Sequence, residues 1–287
     1  MKRSIDIAAD VQNMSTLVEL TSAFEGIASM RIAQIKNQVL QAEQFFNVLW
    51  QIYTQLRVDS DFRYGRSQKE HEIIDKDLLI MITSEGGFSG DIDEKLLNFM
   101  IGNFRADSQT DIVVIGHHGA VLLANRGIKF IKYYKLPSRD RDINVTPLIE
   151  EVQKYKNTTV YYQTYVSLMN QDVKSISLQK AVQQIGQGMI TKPEEIISED
   201  TYIFEPSVFD VVDHLERSML HIALSQTILE SKLAQYASRF RAMSIAHEKS
   251  VDENHVLKQL YNRTKRGEKD ERFKEIINGL RALESGA

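Results

Sequence analysis

The 287-residue chain has no cysteine and only four prolines, and all four prolines lie in its middle. The absence of cysteine excludes disulfides, thiolate metal ligands and cysteine nucleophiles. Proline breaks a helix interior because it removes a hydrogen-bond donor and clashes with the preceding turn. The first 136 residues and everything after Pro206 lack it and are free to form long helices. The composition predicts two terminal helices with a small globular domain between them.

Long apolar runs and strong charge are also missing. No apolar run approaches the roughly 20 residues that cross a bilayer, and the basic start MKRSIDIAADVQNM has no apolar segment behind it, unlike a signal peptide. The net charge of −4 does not indicate binding to nucleic acid or to an anionic membrane. We therefore expect no nucleic-acid partner, and membrane contact only through partner subunits.

The N-terminal region carries a heptad pattern, which predicts a coiled-coil helix from about residue 4 to residue 58. Steps of four and three residues, sustained this long, are typical of a coiled coil, whereas a helix on a globular core drifts towards 3.6. Thr21 and Glu25 interrupt the apolar seam. The seam positions are Ile7, Val11, Met14, Val18, Thr21, Glu25, Ala28, Ile32, Ile35, Val39, Ala42, Phe46, Leu49, Tyr53 and Leu56.

The C-terminal region predicts a second long helix beginning after Pro206. Ser207 is a good N-cap, and Asp210 three residues later completes a weak capping box. No glycine or proline occurs from residue 208 to residue 266, and a further helical piece follows Gly267. Two such helices, joined through a compact domain, pack most simply as an antiparallel pair.

The middle of the chain alternates apolar runs with amphipathic segments, which predicts a small, mostly parallel α/β sheet. Residues 60–76 are polar and predict a loop, and residues 180–200 an irregular connection. A helix over 146–155 should have Thr146 as its N-cap and Pro147 at its first position. The expected strands cover residues 78–82, 111–115, 128–136, 160–168 and 173–178.

Two features of the middle resemble a phosphate site and a metal site, but neither has the residues that such a site requires. The glycine-rich turn 84–90 follows a strand, but it lacks the Lys-Ser/Thr of a P-loop and the spacing of a dinucleotide fingerprint, and Glu85 and Asp91 would repel phosphate. The adjacent His117 and His118 point apart on a helix and have no carboxylate at ligand spacing. We expect no cofactor, no metal, no catalytic residue and no enzymatic activity of the chain by itself.

Three C-terminal motifs resemble the gamma subunit of F-type ATP synthases. That family shows Arg-x-x-Ala-Met, Asn-Arg-x-Arg-Gln and a terminal Glu-Ile-x-x-Gly-x-x-Ala-Leu, and the chain has counterparts at Arg239–Met243, at 262–266 and at 275–283. The turn 84–90 resembles the family's Ser-Asp-Arg-Gly-Leu-Cys-Gly, and residues 116–119 its Gly-x-Lys-Gly. The likeness covers essentially the whole chain.

The sequence also departs from the family pattern. Arg266 stands where the family has glutamine, and Lys269 and Asp270 replace its Ile-Thr. The lysine that precedes Ala-Met-Glu in the family is absent here. These departures suggest a divergent lineage or a specialised paralogue with the same fold.

The resemblance implies a mixed α+β and α/β fold: a long antiparallel coiled coil of the N- and C-terminal helices with an inserted small Rossmann-like α/β domain. The expected domains are the helix 1–58, the α/β domain 59–205 and the helix 206–287. It implies a central-stalk rotor shaft that transmits torque between the membrane c-ring and the catalytic hexamer. It also implies as partners the alpha and beta subunits, the epsilon subunit and the c-ring, on the cytoplasmic face of the plasma membrane if the source is bacterial. The partner-binding residues implied are Arg239, Met243, Asn262, Arg263, Lys265 and Arg266.

Two other classes stay open on the residues alone. A free-standing coiled-coil scaffold would keep both helices but would have no need of Asn262 and Arg263. A small α/β enzyme with helical dimerisation arms would require a ligand site, and the sequence shows none.

Overall fold

The computed structural model describes residues 3–55, 73–103, 109–138, 140, 143–178, 205 and 207–284. Five helices and five strands lie in this part of the chain. The chain divides into two compact units, Met1–Ile27 with Phe240–Ala287 and Ala28–Arg239. The elements in order are α1 (Ser4–Gln55), β1 (Ile74–Ile82), α2 (Ile92–Asn103), β2 (Thr110–Ile115), α3 (His117–Asn125), β3 (Lys132–Tyr134), α4 (Thr146–Val152), β4 (Tyr155–Tyr165), β5 (Gln171–Ser177) and α5 (Val208–Glu284).

Helix α1 follows the predicted heptad seam. Its buried residues in the described part are Ile7, Thr21, Ala28, Ile35 and Phe46, and all five are seam positions. The other seam positions up to residue 53 are half-buried, Glu25 included, and Leu56 lies outside the described residues. The 3.5-residue pattern therefore identified the buried face of this helix correctly.

Helix α5 begins as the sequence predicts. Ser207 Oγ accepts a hydrogen bond from the Asp210 backbone N at 3.2 Å and donates one to Asp210 Oδ2 at 2.6 Å. The helical piece expected after Gly267 is continuous with the rest of the helix, because α5 runs through that glycine to Glu284. A single helical glycine costs only about 1 kcal/mol relative to alanine, which flanking good helix formers offset.

In the first unit, the two terminal helices pair in opposite directions. Asn254 Nδ2 donates to Ser15 Oγ at 3.2 Å, and Thr21 Oγ1 lies 3.3 Å from His247 Nδ1. As the residue number rises along α1, the partner's number falls along α5. The predicted antiparallel arrangement is confirmed here by these pairs.

The second unit contains the sheet, in the order β3-β2-β1-β4-β5. Strand β1 pairs in parallel with β2 and β4, β3 is parallel to β2, and β5 is antiparallel to β4. Alternate residues of β1 enter two different cores. Leu78 and Ile80 pack with residues of α1 and α5, whereas Leu79 and Met81 pack with residues of α2. The sheet is thus covered on both faces, as parallel sheets require.

Several local predictions in this unit need correction. The strand expected over 128–136 is reduced to β3, because the Ile128 backbone N bonds back to the Leu123 carbonyl and Pro137 has no N–H to donate. The helix expected over 146–155 ends at Val152, so that Tyr155 begins β4.

The cap of α4 also differs from the prediction. Val145 is its N-cap and makes no side-chain cap bond, while Asn144 Oδ1 accepts from the Thr146 backbone N at 3.1 Å. Pro147 does lie in the first turn. Strand β1 begins at Ile74, inside the loop expected over 60–76. The rest of that loop up to residue 72 and the connection expected over 180–200 lie outside the described residues.

Candidate functional site

The order of the strands places a topological switch point at the carboxyl ends of β1 and β4. After β1 the chain adds β2 and β3 on one side, and it then returns to place β4 on the other side. In open α/β sheets, ligands bind outside the strand ends at such a switch point. In this chain, the second-unit part of α5 is hydrogen-bonded both to Gln163 of β4 and to the turn that follows β1.

Asp93 of α2 is the centre of the hydrogen bonds at this switch point. Its side chain is fully buried and accepts hydrogen bonds at both carboxylate oxygens. The Ser84 backbone N donates to both oxygens at 3.3 Å, and Ser84 Oγ donates to Oδ2. His118 Nδ1 donates to Oδ2 at 2.7 Å, and Gln163 Nε2 donates to Oδ1 at 2.6 Å. Asp93 therefore joins α2, α3, β4 and the turn after β1.

The network continues from Gln163 into α5. Its Oε1 accepts a hydrogen bond from Ser231 Oγ and another from Gln235 Nε2 at 3.3 Å. All three of these side chains are buried. A buried polar group is costly unless it is hydrogen-bonded, so the three amide and hydroxyl groups fix one register of α5 against the sheet.

The turn 84–90 is held to α5 by a second set of bonds. Ser238 Oγ donates to the Ser89 carbonyl at 2.6 Å, and Arg239 donates to the Gly87 carbonyl from Nε at 3.3 Å and from Nη2 at 3.2 Å. The Arg239 guanidinium also lies 5.3 Å from the centre of the Tyr236 ring, within cation–π range. Arg239, a predicted partner-binding residue, therefore has an internal role that the sequence did not indicate.

The same turn has an unusual backbone. Phe88 has a φ of 66° and is 65% exposed. A bulky residue in this left-handed region is strained and persists only where the surroundings hold it. Here the hydrogen bonds of Ser84, Gly87 and Ser89, on either side of Phe88, stabilise this conformation.

The N-terminus of α3 already has an anionic partner from the chain. Glu85 Oε2 accepts from the His117 backbone N at 2.8 Å, and Glu85 Oε1 accepts from Tyr133 Oη at 3.1 Å. A helix N-terminus is the natural place for a phosphate. The carboxylate predicted to repel phosphate occupies that place.

The pKa of His118 is raised above its ordinary value. The hydrogen bond to Asp93 is the main cause, with a further contribution from the charges of Asp93 and Glu94, while partial burial acts in the opposite direction. Ser84 Oγ bonds to Asp93 and not to the imidazole. The serine is therefore not placed for activation by a histidine base, which would need a direct hydrogen bond between them.

A buried ion pair anchors the segment after β3 to α5. Lys232 Nζ binds Asp140 Oδ1, and both side chains are almost fully buried. Lys232 Nζ also donates to the Pro137 carbonyl at 2.8 Å. From α1, Arg31 Nη1 lies 3.2 Å from Asp140 Oδ2. An open cleft of about 560 Å³ adjoins this pair and is lined by Arg31, Gln34, Asn37, Gln38, Gln41, Ser138 and Asp140.

The structure places the six predicted partner-binding residues in different surroundings. Arg239 is half-buried in the second unit, and Met243 is 7% exposed in the first. Asn262, Arg263, Lys265 and Arg266 are exposed along α5. Lys265 Nζ bonds to Tyr261 Oη at 3.0 Å and lies over its ring. Their binding to partners stays a prediction.

An apolar group on the last turns of α5 was not anticipated. Residues 269–281 are exposed along their whole length. Apolar side chains recur among them at spacings of three and four, which places them on one face of the helix. They are Phe273, Ile276, Ile277 and Leu280, between 43% and 68% exposed. The sequence contains the signal for this face, since Glu275-Ile276-Ile277 belongs to the terminal motif 275–283.

The described ranges show neither a metal cluster nor a membrane-spanning helix. Within them, no group of three or more histidine, aspartate or glutamate side chains is placed to hold a metal ion. No helix among the described residues combines the length and the apolar character that crossing a bilayer requires.

The chain is similar along its whole length to known proteins. A family model described as ATP synthase matches residues 5–283. The ATP synthase gamma chain of Chlorobium phaeobacteroides is 23% identical, covering 97% of this chain and 98% of that relative. The ATP synthase gamma chain of Mycoplasmoides gallisepticum is 20% identical, covering 96% and 97%.

Solved structures share the fold. A chain of the Euglena gracilis mitochondrial ATP synthase OSCP/F1/c-ring structure aligns with a TM-score of 0.59 at 13% identity, covering 97% of this chain and 96% of that one. A chain of the Tetrahymena thermophila mitochondrial ATP synthase central stalk and c-ring structure aligns with a TM-score of 0.57 at 15% identity, covering 79% and 99%. With the family match from residue 5 to residue 283, these findings show that the chain belongs to the gamma-subunit family of ATP synthases.

Proposed function

We propose that this chain is the central-stalk rotor shaft of a rotary ATP synthase, transmitting torque between the membrane c-ring and the alpha/beta catalytic hexamer. The observation that carries the proposal is the extent of the family match, which runs from the first turn of α1 to the last turn of α5 and includes the sheet. The proposed partners are the alpha and beta subunits, the epsilon subunit and the c-ring.

The proposed role needs no chemistry from the chain itself. Its part is mechanical: an asymmetric shaft contacts each catalytic interface differently in each orientation and so biases the nucleotide affinity of that interface. The arrangement of Asp93, His118 and Ser84 supports a non-catalytic role, because all three groups are used in holding elements together. If the source is bacterial, partners hold the chain at the cytoplasmic face of the plasma membrane.

Four exposed residues of α5 are proposed to contact the hexamer. Asn262, Arg263, Lys265 and Arg266 match the family's Asn-Arg-x-Arg-Gln motif, apart from the lysine and the final arginine. Their exposure leaves them available to acidic loops of a partner. Arg239 and Met243 are proposed as further contacts, although both side chains already pack within the chain.

Co-purification tests the class of function. The tagged full-length chain should isolate a ring of two homologous nucleotide-binding proteins, present in excess over it. Isolation of the chain alone, or of self-associated copies, would instead favour the free-standing scaffold. The isolated chain should show no ATPase activity and should bind ATP no better than about millimolar, a free energy of only about −4 kcal/mol. Micromolar binding in calorimetry would favour an enzyme.

A charge reversal tests the proposed contact residues. Arg263→Glu with Arg266→Glu should weaken assembly or the coupling of ATPase to ion pumping, because an unpaired or like-charge contact in an interface costs several kcal/mol. Lys249→Glu with Lys258→Glu is the matched control, since it changes the net charge equally at exposed sites of the same helix.

Circular dichroism of both double variants, free of partners, distinguishes the loss of a partner contact from a loss of helix stability. Helicity should stay near that of the unchanged chain, because exposed helix charges contribute only about 0.3–0.5 kcal/mol each. Equal coupling in the two double variants would show that Arg263 and Arg266 are solvated charges. Loss of helicity in the first variant alone would show that they hold the fold.

A further inference from the structure

The contact between the turn 84–90 and helix α5 depends on one buried carboxylate. Asp93 is fully enclosed, and its hydrogen bonds position both Ser84, where the turn begins, and Gln163 on β4. From Gln163 the network reaches Ser231 and Gln235 of α5. A change at Asp93 would therefore act on α5 by way of the sheet and by way of the turn.

The far end of the turn makes the second connection to the same helix. Ser89 and Gly87 present their carbonyl oxygens to Ser238 and Arg239. Ser89 Oγ also donates to Ser84 Oγ at 3.3 Å, so the hydroxyl groups at the two ends of the turn are in contact. The position of Ser84, set by Asp93, thus fixes where the turn meets α5.

Among the donors that the described residues supply to Asp93, His118 is the one that titrates near neutral pH. Its ring lies at the edge of the buried network, with a side chain that is 35% exposed. Protons can therefore reach the imidazole from solvent, while the carboxylate whose charge the protonated ring compensates is enclosed.

We propose that the Asp93–His118 pair is a proton-controlled latch that holds the turn 84–90 and the sheet against α5, tight when the imidazole carries a proton and weaker when it is neutral. The cationic ring compensates the buried carboxylate, which a neutral ring does less well although it still donates one hydrogen bond. The inference concerns the chain itself. Only the further statement that the latch would change the stiffness of a rotor stalk rests on the proposed function.

The direction of the pH dependence follows from the surroundings of His118. Asp93 and Glu94 of α2 both favour the cation, and the hydrogen bond to Asp93 is the main reason that the pKa of His118 is raised. On the turn, Glu85 binds the backbone N of the neighbouring His117 at the same helix end. A cation whose pKa is raised by folding stabilises the folded state below its ordinary pKa of 6.5, and this contribution is lost as the pH rises through the raised value. The latch should therefore loosen on the alkaline side.

Hydrogen exchange on the full-length chain, free of partners, tests the latch. Protection of the segments 84–90 and 231–239 is measured from pH 6 to pH 9, with the known pH dependence of intrinsic exchange divided out. In the unchanged chain, protection of both segments should fall together as the pH rises. Residues 4–12 of the first unit serve as the internal reference, since Ser4 at their start bonds across the helix pair to Glu268 and not to a histidine.

Three variants separate charge from packing. His118→Lys keeps a positive charge across this range and should hold protection constant with pH. His118→Gln keeps a side-chain donor without the charge and should give low protection that does not change with pH. His117→Gln, on the neighbouring residue, should follow the unchanged chain.

The latch is overturned if His118→Gln retains the pH dependence of the unchanged chain, or if His117→Gln abolishes it. If His118→Gln does not fold, NMR titration of the His118 ring in the unchanged chain decides. The midpoint of the ring titration must coincide with the midpoint of the loss of protection, and different midpoints overturn the proposal. None of the results that overturn the latch would change the outcome of the co-purification experiment. The latch and the rotor-shaft function are therefore tested separately.

Discussion

Glu268 of α5 caps the first turn of α1 through Ser4. The Ser4 backbone N donates to Glu268 Oε1 at 2.8 Å, and Ser4 Oγ donates to the other carboxylate oxygen. The first four N–H groups of a helix have no partner within the helix. In α1, the Glu268 carboxylate, 264 residues away in the chain, is the acceptor for one of these N–H groups. Its negative charge also interacts favourably with the positive end of the helix dipole.

Glu268→Gln should increase hydrogen exchange in residues 4–12, because the amide that replaces the carboxylate lacks the charge favourable at a helix N-terminus. The pKa of Glu268 is lowered, chiefly by the hydrogen bond from Ser4 Oγ. A depressed carboxyl pKa contributes stability above the ordinary value of 4.5, and this contribution is lost as the pH falls through the lowered value. The unchanged chain should thus lose the same protection in acid.

Glu271→Gln is the control for this prediction, since Glu271 is exposed on the same helix. It should leave exchange in residues 4–12 unchanged. Equal effects of the two substitutions would mean that general charge on α5, and not the bond to Ser4, sets the protection of the first turn of α1.

Lys232→Met should strongly destabilise the second unit. Removing one partner of a buried ion pair leaves the other charge uncompensated, at a cost of about 3–5 kcal/mol. Arg31 still contacts Asp140 and should keep the loss near the lower end of that range. The measurement is the midpoint of urea unfolding of the full-length chain.

Two further variants show whether the charge causes this loss. Lys232→Met combined with Asp140→Asn removes both charges and should recover part of the stability. Lys95→Met breaks an exposed pair with Asp91, whose side chains are 59% and 66% exposed. It should cost no more than about 1 kcal/mol. A double variant less stable than Lys232→Met alone would contradict the charge argument.

Gly116→Ala should destabilise the chain at the junction of β2 and α3. Gly116 has a φ of 99°, and an added Cβ would lie 2.1 Å from the Thr83 carbonyl oxygen. The left-handed backbone and the forced shift together should cost about 3 kcal/mol or more.

Gly127→Ala is the matched variant, because Gly127 also has a positive φ, 69°, but nothing lies within 4 Å of its added Cβ. It should cost only the backbone term of about 1–2 kcal/mol. The thermal unfolding midpoint compares the two variants directly. Equal losses would show that the close approach to Thr83 relaxes without cost.

The sequence alone determined the elements that depend on local periodicity. The seam of α1 could be read from residue 7 to residue 53 because burial along a coiled coil follows a fixed 3.5-residue spacing, and Ile35 and Phe46 are buried as that spacing requires. The capping pair Ser207 and Asp210 was also predictable, because the two residues are only three positions apart and their bond does not depend on the rest of the fold.

Tertiary structure alone decided the contacts between residues distant in sequence. Nothing in the local pattern marks Asp93 as the partner of His118 and Gln163, which lie 25 and 70 residues further along the chain. Arg239 could be recognised as a motif residue, but its bond to the Gly87 carbonyl depends on where α5 meets the sheet. The length of β3 likewise depended on how far the chain after α3 runs beside β2. Periodicity specifies which face of an element is buried, whereas the choice of partner depends on the packing of the whole unit.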